Sequence, residues 1–312
     1  MSARCPITYE ALDDGQVYSA AGLRRLHPKL QSLQTLPFSP DLLLQEAAAR
    51  AARMSIQGVQ PKLSAVLRLS EERIDLVDTG GRFILKPPNP AYPDVPENED
   101  LTLKLAVQYG LEVPDHGLLW ANHRALVFWI RRFDRHGRNQ RRPVEDFAQL
   151  AGLSRDTKYD FSVEKLIGVI EQFCTFAQIE KAEFFRRFCF NWVVGNDDMH
   201  LKNYSIWQAR GIHKLAPCYD FLSTHLVLRE PSESALPLDG KRAGFTRQLL
   251  VDYLGRERCG LNRVIVEETL AKLIDALSLW RTTIAASFLG EKDQARYLEL
   301  IERRLETLRA GG

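Results

Sequence analysis

The sequence predicts an α+β fold of two lobes, with a small antiparallel sheet in the first lobe and mainly helices in the second. Three observations predict it. Short apolar runs separated by turn residues fill the first half, as in an antiparallel meander. Apolar residues recur at helical spacing in the second half. Between the halves, the segment "IRRFDRHG" changes from strand to turn, so we expect lobes at residues 1–132 and 133–312.

The composition is that of a folded globular chain, since 45% of its 312 residues are hydrophobic and 26% are charged. The 42 basic and 40 acidic residues leave a net charge of +2. That charge is too small to make nucleic acid or a membrane the principal partner. The five cysteines form no C-x-x-C pair, which argues against a zinc site or a disulfide framework and favours reduced thiols in a cytosol.

The ends and apolar runs of the chain give no sign of a membrane. The N-terminal segment lacks the basic-then-apolar pattern of a signal peptide. The longest fully apolar run that we find, residues 125–130, is far shorter than the ~20 residues of a membrane helix. We therefore expect a cytoplasmic protein that does not bind a membrane.

The elements of the first lobe follow from short apolar runs and their turns. Three strands are predicted at residues 63–69, 73–77 and 82–86, separated by "SEE" and "DTGG". A proline-rich segment, residues 87–96, should be extended because each proline fixes φ and restricts its predecessor. A helix ending at Gly110 follows. The segments "HGLLWA" and "RALVFWIRRF" then predict two more strands.

The second lobe has a different period. Apolar residues at helical spacing predict helices near residues 166–177 and 182–194, and again in the segments 263–280 and 295–309. Two short strands, "YSIWQ" and "IHKLA", lie between these pairs of helices. The polar segment "GNDDMHLKN" connects the second helix to the first of these strands.

That polar segment contains the residue types that phosphoryl transfer needs. Such a reaction uses a carboxylate to orient the acceptor hydroxyl and oxygen ligands to hold magnesium. In kinases an Asp is followed five residues later by an Asn, and here Asn203 follows Asp198 at that distance. Asp220, in "APCYDFLS", is a further candidate ligand. The alternative is a surface turn or a helix cap, since such spacing occurs by chance at roughly one Asp in 25.

The first lobe offers a lysine that such a reaction would use. Strand alternation places Lys86 on the face opposite Phe83 and Leu85. A kinase needs a strand lysine for the α- and β-phosphates, held by a helix glutamate, and Glu97 and Glu99 are both candidates. The alternatives are a solvated strand end for the lysine and a helix N-terminus that favours acids for the glutamates.

The segment "SIQGVQPKLS" before the first strand could cover a nucleotide with its backbone amides. It contains one glycine, Gly58, and matches neither a G-x-G-x-x-G loop nor a P-loop. Its spacing alone is that of an ordinary loop.

Taken together, these segments resemble the HipA-like serine/threonine kinases of bacterial toxin–antitoxin systems. The resemblance covers residues 55–223 and occurs in the family's order, through "SIQGVQPKLS", "FILKP", "ENE", "VPDHGLL", "IRRFDR", "GNDDMHLKN" and "YDFLS". It implies a protein-kinase-like fold, ATP and Mg²⁺ as cofactors, and transfer to a serine or threonine of a protein.

The resemblance also implies roles for individual residues of the helical lobe. Asp198 would be the catalytic base, with His200 and Lys202 in the same loop and the lysine near the γ-phosphate. Asn203 and Asp220 would be the magnesium ligands.

In the first lobe the resemblance implies a nucleotide site and a switch. The nucleotide would be bound by Lys86, Glu99 and the loop residues Ser55, Gln57, Gly58 and Val59. Ser55 would be the autophosphorylation site that inactivates the enzyme, because a phosphate of charge about −2 would pull the loop away from the nucleotide.

The short segment ahead of Ser55 is similar to that of the HipT kinases of three-part HipBST systems, which we take as the closer match. Those kinases have a second serine where this chain has Gln57, so regulation by two phosphoserines is not expected. The resemblance implies an aminoacyl-tRNA synthetase, tryptophanyl or glutamyl, as the target.

The resemblance further implies partners of two kinds. A HipB-like DNA-binding antitoxin would connect the kinase to DNA indirectly, and a small HipS-like antitoxin is a second partner. Two other functions stay open at this point. One is a small-molecule phosphotransferase, which shares the Asp-to-Asn spacing, and the other is a catalytically silent pseudokinase bound to an antitoxin.

Overall fold

The structure is a computed structural model that describes residues 3–54, 61–92, 94–137, 140–153, 159–228 and 231–310. The chain divides into two compact units that are not continuous in sequence. Unit 1 comprises Met1–Leu101, Pro114–Asn139 and Ala285–Gly290. Unit 2 comprises Thr102–Val113, Gln140–Ile284 and Glu291–Gly312. The lobe boundary at residues 132 and 133 stays a prediction.

Unit 1 contains a five-stranded antiparallel sheet in the order β2-β1-β3-β5-β4. The predicted strands occur close to their expected bounds, because alternating apolar residues and the intervening turns define both the strands and their ends. The strands are β1 (Leu63–Arg68), β2 (Arg73–Leu76), β3 (Phe83–Lys86), β4 (His116–Trp120) and β5 (Leu126–Arg131), and β6 (Arg135–His136) follows.

One face of this sheet packs against the N-terminal segment of the chain. Buried side chains of alternate strand positions and of residues 5–47 form one hydrophobic core. In that segment Ser19 caps helix α1 (Ala20–Leu26) by accepting a hydrogen bond from the Gly22 amide at 3.0 Å. Helix α2 is Pro40–Met54. Neither α1 nor α2 was predicted from the sequence; α1 has only seven residues and so shows little periodicity.

Helix α3 (Val95–Tyr109) contributes its first half to unit 1 and its second half to unit 2. It begins two residues before the predicted start and precedes Gly110, whose φ of +92° ends the helix as expected. Its first turns place three acidic side chains inside unit 1, which matters for the candidate site below.

Unit 2 is mainly helical and has a three-stranded antiparallel sheet in the order β10-β9-β8. Strands β9 (Ser205–Ala209) and β10 (Ile212–Leu215) were predicted, whereas β8 (Val144–Asp146) was not, because three residues carry no readable alternation. Strand β7 is Gln140–Arg141. The helices are α4 (Phe147–Leu150), α5 (Val163–Phe173), α6 (Ala177–Val194), a π-helix (Leu249–Arg258), α7 (Arg263–Ala286) and α8 (Glu291–Arg309).

Within residues 3–310, apart from the gaps given above, no helix combines the length and the apolar composition needed to cross a bilayer.

Candidate active site

The polar loop of unit 2, residues 195–203, begins where helix α6 ends. Gly195 lies at the C-terminal end of α6 with φ of +71°. A Cβ at this position would lie 2.6 Å from Leu300 Cδ2 and 2.9 Å from His225 Cδ2. Both the backbone conformation and the lack of space therefore require glycine, and the chain turns sharply out of the helix.

Buried hydrogen bonds fix the first half of this loop. Asn196 donates from Nδ2 to Asn191 Oδ1 at 2.8 Å. Thr224 donates to the Gly195 carbonyl oxygen at 2.9 Å and accepts from the Asp197 amide at 3.2 Å. Asp197 is only 8% exposed and accepts from Ser232 Oγ at 3.3 Å. Its carboxylate therefore holds the loop together and is poorly placed to meet a substrate.

Asp198, by contrast, presents its carboxylate outwards. Its side chain is 46% exposed, so of the two adjacent acids it is the one that an acceptor can reach. Asn203 donates from Nδ2 to the Asp198 carbonyl oxygen at 2.8 Å, which fixes the two residues relative to each other. This hydrogen bond uses the amide nitrogen of Asn203, and its amide oxygen is an atom of the type that binds hard cations.

His200 and Lys202 shape the turn between Asp198 and Asn203. His200 Nδ1 accepts a hydrogen bond from the Lys202 amide at 3.2 Å, and its Nε2 lies 3.9 Å from Asp198 Oδ1. The histidine is 6% exposed. The buried histidine therefore supports the loop from its interior side. Lys202 is partly exposed and gives this loop a positive charge.

Asp220 is fixed beside the same loop through its neighbours in the chain. Tyr219 donates from its hydroxyl to the Lys202 carbonyl oxygen at 3.2 Å and is hydrogen-bonded to Ser205. Phe221 stacks on Phe190 of α6 with centroids 6.0 Å apart. Asp220 itself has φ of +56°, a left-handed conformation that is uncommon for non-glycine residues and occurs often at functional sites.

Tyr159 contacts the loop from the segment before α5, and the sequence analysis missed it. Its hydroxyl donates to Asp198 Oδ1 at 2.8 Å. Its ring meets His200 edge-on with centroids 5.2 Å apart. Partial burial and the negative charge of Asp198 raise the pKa of this phenol above its ordinary value. No local pattern marks Tyr159, since the contact joins residues 39 positions apart.

In unit 1 the structure brings Lys86 and Glu99 together. The ammonium donates to Glu99 Oε1 and lies 5.4 Å from the centroid of the Phe128 ring. Lys86 is 1% exposed and Glu99 is fully buried, so each charge stabilises the other in a place that water does not reach. The solvated strand end considered for Lys86 is wrong, because strand β5 and helix α3 cover it.

The other acids of helix α3 have different neighbours. Asp100 Oδ1 lies 2.8 Å from His116 Nδ1 in a buried pair. Glu97 does not pair with the lysine. Burial first, and then the charges of Asp94 and Asp100, raise the pKa of Glu97 to about 8. Of the two glutamates considered from the sequence, the structure therefore pairs Glu99 with Lys86.

The loop expected to cover a nucleotide lies outside the described residues. This applies to Ser55, Gln57, Gly58 and Val59. Their expected roles stay predictions, as do the catalytic and binding roles of the residues whose positions are given above.

The residues of unit 2 fit the ligand preferences of magnesium. Asn203 and Asp220 offer an amide oxygen and a carboxylate, both hard oxygen donors of the kind that Mg²⁺ takes together with phosphate and water. Over the described parts of the chain, no group of three or more His, Cys, Asp and Glu side chains could hold a metal ion by itself. Such a two-residue set would suit a metal that arrives with a nucleotide.

This chain is similar to several known proteins. Residues 54–280 match the family model described as the HipA-like C-terminal domain. A protein of Haemophilus influenzae named a putative kinase is 30% identical over 322 residues, covering 93% of this chain and 92% of that protein. The serine/threonine-protein kinase toxin HipA of Shewanella oneidensis is 26% identical over 207 residues. That match covers 60% of this chain and 47% of that protein.

A solved structure shows the same fold. The complex of HipA, HipB and operator DNA from Shewanella oneidensis MR-1 contains a chain that matches with a TM-score of 0.66. The match covers 96% of this chain and 79% of that chain at 19% sequence identity. The α+β kinase-like fold class expected from the sequence is thereby confirmed.

Proposed function

The chain belongs to the HipA-like kinase family, whose domain model spans residues 54–280, and on this premise we propose that it is an ATP- and Mg²⁺-dependent protein serine/threonine kinase. We further propose that it acts as the toxin of a toxin–antitoxin system. One observation in the structure carries the enzymatic part of this proposal. Asp198 presents a half-exposed carboxylate that is fixed to Asn203 by a 2.8 Å hydrogen bond.

The acceptor chemistry is assigned to the loop of unit 2. Asp198 accepts the proton of a serine or threonine hydroxyl as that oxygen attacks phosphorus. Asn203 and Asp220 supply oxygen ligands to Mg²⁺, which when bound neutralises phosphate charge. Lys202 contributes a positive charge in the same loop, towards the γ-phosphate. Asp197 stays structural because its carboxylate is buried and accepts from Ser232.

The nucleotide chemistry is assigned to unit 1. Lys86 contacts the α- and β-phosphates, and Glu99 holds its ammonium in place, as strand lysines and helix glutamates do in kinases. The loop residues Ser55, Gln57, Gly58 and Val59 cover the nucleotide. Ser55 is proposed as the autophosphorylation site that inactivates the enzyme, because the added charge would draw the loop out of its covering position.

The biological target and partners are proposed from the family. We assign the chain to the HipT type and propose a tryptophanyl- or glutamyl-tRNA synthetase as substrate, so that phosphorylation inhibits translation. A HipB-like DNA-binding antitoxin is the main partner, in keeping with the solved complex of the Shewanella oneidensis HipA with HipB and operator DNA. A small HipS-like antitoxin is a second proposed partner.

Phosphate transfer from labelled ATP tests the enzymatic proposal. We expect the wild-type protein with Mg²⁺ to label itself at Ser55, located by mass spectrometry, and to label one of the two purified synthetases. Asp198→Asn should lower the rate by about 10²- to 10⁴-fold, since it removes the general base. Asp252→Asn is the matched control, because that aspartate contacts Arg256 on an exposed helix surface.

Two outcomes would replace the proposal with one of its alternatives. If the wild-type protein takes up no label but still binds a HipB-like antitoxin, the chain is a silent pseudokinase subunit. If it phosphorylates aminoglycosides or other small molecules and no protein, it is a small-molecule phosphotransferase.

A further inference from the structure

The Asp198 carboxylate already has a hydroxyl donor in the structure. Tyr159 Oη lies 2.8 Å from Asp198 Oδ1. Two further contacts hold this tyrosine in unit 2. Its ring meets His200 edge-on, and its carbonyl oxygen accepts from Arg242 Nη2 at 3.3 Å. The hydroxyl and the ring of Tyr159 therefore both contact the loop, while Arg242 holds its backbone.

The position of this phenol is the one that a substrate hydroxyl needs. A general base must lie about 2.6–3.2 Å from the oxygen whose proton it accepts, and the Tyr159 oxygen satisfies that distance. The phenol is a donor at neutral pH, because the ordinary pKa of tyrosine is about 10, and partial burial and the charge of Asp198 raise the pKa of Tyr159 further. It therefore stays protonated and bound to the carboxylate.

The contact is not needed to build the loop. The loop backbone is already fixed by the bonds from Asn203 to the Asp198 carbonyl oxygen and between Thr224 and Asp197. Neither bond involves Tyr159. The phenol binds the Asp198 carboxylate, whose side chain is 46% exposed, so the contact limits the access of other hydroxyl groups to that carboxylate.

We propose that Tyr159 occupies the acceptor position on Asp198 and competes with the serine or threonine hydroxyl of the protein substrate. It is thereby a residue that determines how readily an acceptor enters. This inference rests on the proposed function of Asp198 as the general base. Entry of an acceptor requires the Tyr159 hydroxyl to leave Asp198 Oδ1.

Steady-state kinetics of the whole protein test the competition. Casein serves as a general serine- and threonine-containing acceptor, with ATP and Mg²⁺. We expect Tyr159→Phe to raise kcat/KM for casein about fivefold, equivalent to about 1 kcal/mol at 1.4 kcal/mol per tenfold. Tyr159→Ala, which also removes the ring, should raise it at least as much. The KM for ATP should not change in either variant.

Tyr253→Phe is the matched control for these variants. Tyr253 also donates its hydroxyl to a carboxylate in unit 2, Glu164 Oε1, at 3.1 Å. It has no contact with the loop among its described interactions, so its substitution should leave all kinetic constants unchanged. A general effect of losing a phenol from this unit would appear in both variants.

A second measurement detects the contact without any catalysis. The pH titration of phenolate absorbance is recorded for the wild type and Tyr159→Phe, and again in the Asp198→Asn background. In each background, subtracting the curve of the Tyr159→Phe protein leaves the titration of Tyr159 alone, out of nine tyrosines. We expect the Tyr159 pKa to fall when Asp198 is neutralised, because the negative charge no longer opposes ionisation.

The outcomes separate this inference from the proposed function. An active wild type whose Tyr159→Phe and Tyr159→Ala variants are no faster towards casein, or a Tyr159 titration unaffected by Asp198→Asn, overturns the inference alone. If neither the wild type nor any variant transfers phosphate, the proposed function fails and the competition fails with it. In that case a shifted Tyr159 titration would show that the contact exists but serves another purpose.

Discussion

At the scale of single residues, the pair of Lys86 and Glu99 shows how burial changes what an ion pair contributes to a protein. Two ions of opposite sign lie inside unit 1 with almost no solvent exposure. Removing charges from water costs several kcal/mol per ion, which their attraction offsets only when both are present. Such a pair contributes little net stability, so its value lies in placing an ammonium at a defined point.

The first prediction separates stability from function at this pair. Glu99→Ala removes the carboxylate that pairs with the buried Lys86 ammonium, and we expect it to lower the free energy of unfolding by about 3–5 kcal/mol. The double variant Lys86→Met/Glu99→Leu should recover most of that loss, because both charges are replaced by apolar groups. Neither the Glu99→Ala variant nor the double variant should transfer phosphate. Urea denaturation and labelled ATP measure the two effects.

An exposed ion pair of the same unit provides the control. Arg68 and Asp75 are 2.9 Å apart with exposed side-chain fractions of 52% and 26%. Asp75→Ala should cost less than about 1 kcal/mol. Equal losses for Glu99→Ala and Asp75→Ala would show that Lys86 and Glu99 are not buried together.

At the scale of elements, the junction between helix α6 and the polar loop depends on helix α8. Arg304 of α8 donates to the Trp192 carbonyl oxygen at the end of α6 and stacks 5.3 Å from the Trp192 ring. Leu300 of α8 fills the space beside Gly195. The last helix of the chain therefore fixes where α6 stops and where the loop carrying Asp198 begins.

The second prediction tests this junction. Gly195→Ala places a methyl group against Leu300 and His225 at distances that real contacts do not show, in a left-handed conformation. We expect a loss of about 2–4 kcal/mol, combining backbone strain with overpacking. Gly211→Ala is the control, since that residue has φ of +80° with nothing within 4 Å of its Cβ position.

The control should lose only the strain of the positive φ, about 1 kcal/mol. Thermal unfolding of both variants measures the difference between them. Equal shifts in Tm for Gly195→Ala and Gly211→Ala would mean that α8 does not restrict the junction.

At the scale of the whole molecule, the acids of helix α3 make stability depend on pH. The pKa of Glu97 is raised from 4.5 to about 8 in the folded chain. Below about pH 4.5 the residue is protonated in both the folded and the unfolded states. Between pH 4.5 and 8 the unfolded chain loses this proton while the folded chain keeps it, so stability falls as pH rises.

The third prediction follows from that difference. Glu97→Gln keeps the size of the side chain and removes the titration, so we expect the variant to be more stable than the wild type by about 4 kcal/mol at pH 8. The two proteins should have similar stability near pH 4.5. Urea denaturation at a series of pH values gives both curves. Parallel curves across this range would contradict the assigned burial of Glu97.

Much of the fold could be predicted because its signals are local. The strands β1 to β5 and the helices α3, α6, α7 and α8 were expected near their observed positions, since periods of two and of 3.6 residues are visible within short windows. Helix α1 and strand β8 were missed, because seven and three residues are too few to show a period. Their formation depends on the core and on strand β9, respectively. Helix α2 was missed as well, although it has 15 residues.

The candidate site likewise has features that the sequence determines and features that only the tertiary structure determines. By itself the sequence determined where the acids, the amide and the lysine stand along the chain, and the order of the elements that carry them. Only the tertiary structure decided that Glu99 and not Glu97 meets Lys86, that Asp197 is structural while Asp198 is exposed, and that Tyr159 binds Asp198. These pairings join residues separated by up to 39 positions. Such contacts depend on how whole elements pack, which no short window of sequence contains.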